Sequence, residues 1–67
     1  MKVDITAIRI EMAKRCWTYK DLAEHSNLSY STLISIMTGL RSGSIKTLGK
    51  VAKALQVDIS VVLKDED

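Results

Sequence analysis

Residues 18–39 read TYKDLAEHSNLSYSTLISIMTG, and they divide into two short helical segments around a tight turn. Thr18 offers a hydroxyl oxygen to the free N–H groups of a first helical turn. Asp21 stands three residues on, where a Glu or Gln would complete a capping box, and it suits the positive end of a helix. Leu22, Ala23 and Ser26 then share one face at helical spacing. Asn27 tolerates positive φ, so it predicts a helix end and a change of direction. Leu28 is a single apolar plug in the turn, and Ser29 predicts a second cap. Leu33, Ile36 and Met37 give the second helix, over about residues 30–38, its inner stripe. Gly39 ends it.

The two faces of that second helix differ in kind. Its inner stripe is apolar, while Tyr30, Ser31, Thr32 and Ser35 present uncharged hydrogen-bonding groups on an outward face at the N-terminal end. A helix entering the major groove of DNA reads base edges with such side chains from that end. The same pattern also describes a solvated face whose hydroxyls only cap and solubilise.

The whole chain has 67 residues, enough for one domain (residues 1–67) with a modest core. Proline and phenylalanine are absent, and good helix formers are plentiful, which predicts an all-α fold. One cysteine excludes an internal disulfide and a cysteine-based zinc site, and suits a reducing cytoplasm. No apolar run is long enough to cross a bilayer, and no signal-peptide pattern opens the chain, so no membrane association is expected. The formal charge of +2 conceals an asymmetry. Through Lys53 nine basic residues face four acidic ones, a balance of +5, whereas from Ala54 onward one lysine faces four carboxylates, a balance of −3. A basic body with an acidic tail suits a polyanion on one side.

Upstream, Asp4 predicts the cap of a first helix reaching about Arg15, with Ile5, Ile8, Met12 and Ala13 inside. Lys14 and Arg15 suit its negative end. Cys16 marks the exit, Trp17 is expected to be the largest single piece of core, and His25 an exposed helix-end residue. Downstream, LRSGS (residues 40–44) is a polar turn, and Ser44 caps a fourth helix. Ile45, Leu48, Val51, Ala52 and Leu55 line its inner side, with Lys46, Lys50 and Lys53 opposite. Gly49 within it is expected to mark a close helix crossing. Asp58 predicts the cap of a short fifth helix carrying Ile59, Val61, Val62 and Leu63, and residues 64–67 are expected to fray.

The order Trp17-Thr18, Asp21-Leu22-Ala23, Asn27-Leu28-Ser29, Thr32-Leu33, Ile36, Gly39, Ser44-Ile45, Thr47-Leu48, Ala52-Lys53-Ala54-Leu55 and Val57 closely resembles the phage repressor and Cro family of helix-turn-helix proteins, also called the XRE family. The resemblance runs from about Ile5 to Leu63. It implies a compact five-helix, repressor-like DNA-binding domain that binds operator DNA as a symmetric homodimer. Carried over by position, it implies base reading by Tyr30, Ser31 and Ser35, with Thr32 beside them. It implies phosphate contact by Tyr19 and by the loop around Arg41, with Ser42, Ser44 and Lys46. The chain departs from the family where glycine often stands in place of Cys16 and Asn27. It departs again at Met12 and Met37, which occupy the positions of a frequent Arg–Glu pair. Both partners have become apolar together, which strands no buried charge. Ile34 falls where a polar residue is usual, and it could touch a thymine methyl, pack on a neighbour or sit exposed.

The expected function is therefore sequence-specific binding of double-stranded DNA in transcription regulation, as a repressor on a near-palindromic operator, in a bacterial or phage-encoded cytoplasmic protein. Ile59, Val61 and Val62 are the expected dimer contacts, because a short helix cannot turn so many apolar groups inward. No carboxylate pair, His–Cys set or phosphate loop points to catalysis. No cofactor, metal or small-molecule ligand is expected. A protein-interaction module on the same fold, an antitoxin-like or anti-repressor partner, is the alternative from another class.

Overall fold

Each helix begins where a side chain takes over a backbone N–H that the helix leaves unbonded. Asp4 accepts from Ala7 N–H at 3.0 Å, and Thr18 from Asp21 N–H at 3.2 Å. Ser29 accepts from Thr32 and Ser44 from Thr47, both at 3.2 Å, and Asp58 from Ser60 at 3.0 Å. In the computed structural model, which describes residues 2–40 and 43–64, these caps open α1 (Ile5–Arg15), α2 (Tyr19–Ser26), α3 (Tyr30–Met37), α4 (Ile45–Leu55) and α5 (Ile59–Val62). The capping box at α2 is complete, since Thr18 N–H donates to Asp21 Oδ2 at 2.8 Å.

Three of the helices also end alike. Cys16, Asn27 and Gln56 have φ of 58°, 59° and 58°. The N–H that follows each one reaches back to the helix, from Trp17 to Met12 O at 2.9 Å, Leu28 to Ala23 O at 2.9 Å and Val57 to Ala52 O at 3.1 Å. This is the Schellman ending, and Trp17, Leu28 and Val57 supply the apolar contact with the core that accompanies it. Cys16 thus keeps the ending that glycine would adopt freely, and bears the left-handed strain.

The all-α expectation holds, with one addition. Lys2–Val3 (β1) and Leu63–Lys64 (β2) pair antiparallel, Lys2 opposite Lys64 and Val3 opposite Leu63. Asp4 N–H donates to Val62 O at 2.8 Å and continues the ladder. Leu63 therefore belongs to a strand rather than to α5, and Lys64 is held by pairing rather than frayed. Residues 65–67 of the expected frayed tail lie outside the described residues.

Ile8, Leu22, Leu33, Val51, Leu55 and Val62 are at most 1% exposed and form the centre. Met12 and Met37 are buried in the same cluster, as the inner-face spacing of their helices predicts. α2 packs on α3 and α4, while α5 packs on α4 and α1. The α2–α4 layer is thus the platform that carries α3.

Four expectations about packing are corrected. Ala13 is exposed, because it lies about 100° around α1 from Met12, past the edge of the inner stripe. Ile45 is 61% exposed; the stripe of α4 starts before the elements that cover it. A Cβ on Gly49 would meet nothing within 4 Å, so this glycine marks no close crossing. Trp17 is only half-buried and caps the core edge instead of filling its centre.

Candidate nucleic-acid interface

The first turn of α3 owes its exposure to Ser29. By capping the helix, Ser29 starts it at the surface, and its hydroxyl also donates to Thr32 Oγ1 at 2.7 Å. That pairing holds the half-buried Thr32 in the cap, which sets it apart from the other candidate readers. Tyr30 is 55% exposed, and Ser31 beside it is exposed. Ser35, one turn on and half-buried, donates its hydroxyl to Ser31 O at 2.8 Å. With its proton committed to the helix, Ser35 presents lone pairs outward as an acceptor. Ile34 is half-buried, and Thr38 at the C-cap donates to Ile34 O at 2.8 Å.

Around this helix lie the groups expected to hold phosphates. Tyr19 starts α2 and leans on the core. Ser44 is exposed, with its hydroxyl engaged by Thr47 in the α4 cap. Lys46 is exposed in the first turn of α4. Arg41 and Ser42 lie outside the described residues. Gly43, at φ 74°, seats the end of their loop, since a Cβ there would approach Ile36 Cδ1 to 3.3 Å. Gly43 itself thus lies close against Ile36 of α3 and Leu48 of α4.

Several features escaped the sequence reading. Arg9, exposed on α1, shares a hollow of about 400 Å³ with Thr18 and Tyr19. Its helical position gave no hint of that neighbourhood. Leu40 and Ile45, on either side of the loop in sequence, are 81% and 61% exposed. Leu40 has no periodic partner that could have predicted it. His25 is exposed as expected, yet its ring stacks on Trp17 with centroids 4.1 Å apart and planes 4° from parallel. The Arg15 guanidinium lies 5.8 Å from the Trp17 ring centre. Arg15 also donates to Glu11 Oε1 at 3.0 Å and to Leu55 O, which ties the end of α1 to the end of α4.

Three carboxyls are held below their ordinary values. Glu11 is lowered by its bonds from Arg15 and Lys14. The Thr18 N–H lowers Asp21, and the Ser60 hydroxyl lowers Asp58. Asp21 therefore stays charged at the start of α2.

The expected dimer contacts are only partly available. Val62 is 0% exposed and belongs to the core of a single chain, so it offers nothing to a second copy. The chain leaves α5 for a strand, which lets Leu63 pack on the core as Ile59 does and reduces the apolar surface that a lone helix would expose. Val61 and Ile59 remain half-exposed.

Among the described residues, no three His, Cys, Asp or Glu side chains converge as metal ligands. No described helix is long and apolar enough to cross a membrane. A family model described as helix-turn-helix matches residues 6–62. No curated protein and no solved structure matches the chain.

Proposed function

The chain belongs to the Cro-like (XRE) helix-turn-helix family, a family of DNA-binding transcription regulators rather than of enzymes, and on that footing we propose that it is a cytoplasmic repressor that binds a near-palindromic operator as a homodimer. The observation that carries this reading is the first turn of α3. Its cap starts the helix at the surface, where Tyr30 and Ser31 stand, with Ser35 one turn on and no charge among the three. Tyr30 and Ser31 meet base edges directly, and Ser35 accepts from an amino group of adenine or cytosine. Single hydroxyl contacts discriminate less than bidentate ones, so the deformability of the operator adds to the specificity. Tyr19, Arg9, Lys46, Ser44 and the loop at Arg41 and Ser42 hold phosphates and set the register.

In this reading Val61 and the exposed flank of Ile59 meet their counterparts across a two-fold axis. Two recognition helices then face successive major grooves, about 34 Å apart. Selection of bound duplexes from a random pool tests the reading. A near-palindromic consensus is expected, bound with a steep negative dependence on salt. Enrichment of no sequence would end it. The exposed Leu40 and Ile45 favour a second reading, a protein-interaction module, in which no duplex sequence would be enriched.

A further inference from the structure

At the opposite end of α2 from its capping box, a groove of about 310 Å³ opens against α4. His25, Ser26, Asn27, Lys50, Lys53 and Ala54 line it. We propose that this groove binds a small, freely diffusing ligand through an oxyanion, a phosphate or carboxylate group. Its volume is at the low end for small-molecule sites, which suits a compact anion.

The chemistry of the lining is one-sided. No carboxylate is among the lining residues, and among the described residues neither lysine has an ion-pair partner. Lys50 and Lys53 are three residues apart on α4, so two like charges occupy neighbouring helix positions and repel. An anion shared between them relieves that repulsion. The His25 ring is already held in place by its stack on Trp17. Ser26 supplies the independent observation. It is 3% exposed, and its hydroxyl has no hydrogen-bond partner. A buried hydroxyl left unpaired is unusual, and this one belongs to a residue lining a groove of cations. The negative end of α2 is muted there, since Asn27 N–H and Leu28 N–H already take up the Glu24 and Ala23 carbonyls.

The test is titration of the full chain with sodium phosphate, succinate and sodium chloride at matched ionic strength, followed by amide NMR. Saturable shifts confined to Ser26, Asn27, Lys50, Lys53 and their neighbours are expected with phosphate or succinate, and the stronger of the two names the ligand class. K50Q/K53Q should weaken binding about tenfold, equivalent to 1.4 kcal/mol, while remaining folded. Ser26→Ala should weaken the anion yet leave the free protein at least as thermostable, because it removes an unpaired group. A purely structural Ser26 would give no change in the anion's affinity. Chloride shifts equal to those of phosphate, or undiminished binding by K50Q/K53Q, would overturn the site. So would competition between duplex DNA and phosphate for the same amides, which would make the anion a DNA phosphate.

Discussion

Left-handed backbone at a side-chain-bearing residue costs about 1–2 kcal/mol, and Cys16 and Gln56 both sit there with φ of 58°. Glycine in either place removes that strain, against a smaller entropic loss in the unfolded chain. Cys16→Gly and Gln56→Gly should each raise unfolding free energy in urea by about 0.5–1 kcal/mol. Asn27→Gly should gain less, because asparagine tolerates the conformation. At the reading face, Ser35→Ala leaves the helix intact but removes the outward acceptor. Discrimination at a single adenine- or cytosine-bearing position should fall by about 1 kcal/mol, read from competition binding with single-base operator variants. Equal loss on every variant would instead make Ser35 a backbone contact.

Among the elements, α4 offers the clearest gain. Gly49 lies within it with open space where a Cβ would be, so Gly49→Ala should stabilise the fold by about 1 kcal/mol in urea unfolding. The caps carry the pH dependence. Asp21 has its folded pKa below the ordinary 3.8 because Thr18 N–H donates to the carboxylate. That contribution is complete above the ordinary value and is lost as pH falls through the folded one. Asp21→Asn should therefore lower the thermal midpoint at neutral pH, and the gap from the parent should close as pH drops below 3.8. A gap constant with pH would assign the effect to helix propensity alone. These caps are also why the helices were legible in the sequence. Asp4, Thr18, Ser29, Ser44 and Asp58 each stand at a start that the structure uses. The two-residue strands carry no readable period, and their partners lie at opposite ends of the described chain.

On the scale of the whole molecule, the inner stripes defined most of the core, but not where it stops. Ile45 and Leu48 fit the same helical stripe, yet Ile45 is 61% exposed and Leu48 4%; periodicity gives a direction and not the extent of the neighbour that covers it. Val62 is buried, not free for a partner, because its surroundings depend on the ribbon, which no helical period encodes. The reading face was legible as a polar turn, whereas the hydroxyl pairings of Ser35 and Thr32 depend on rotamers that no spacing encodes. Met12 on α1 and Met37 at the end of α3 come together in one cluster. Met12→Ala or Met37→Ala should each cost about 2–4 kcal/mol in denaturant unfolding, a large part of what so small a domain has. Costs near zero would mean that the cluster closes around the gap.

The chain contains one tryptophan and one histidine, and folding lays their rings face to face, 4.1 Å apart. Light emitted by Trp17 thus reports on whether the corner between α1 and α2 is closed, because the stack exists only while both helices are in place. Unfolding in urea should change that emission in step with the loss of helix, from a single built-in probe. His25→Gln should alter the emission of the native protein and leave that of the urea-unfolded chain unchanged.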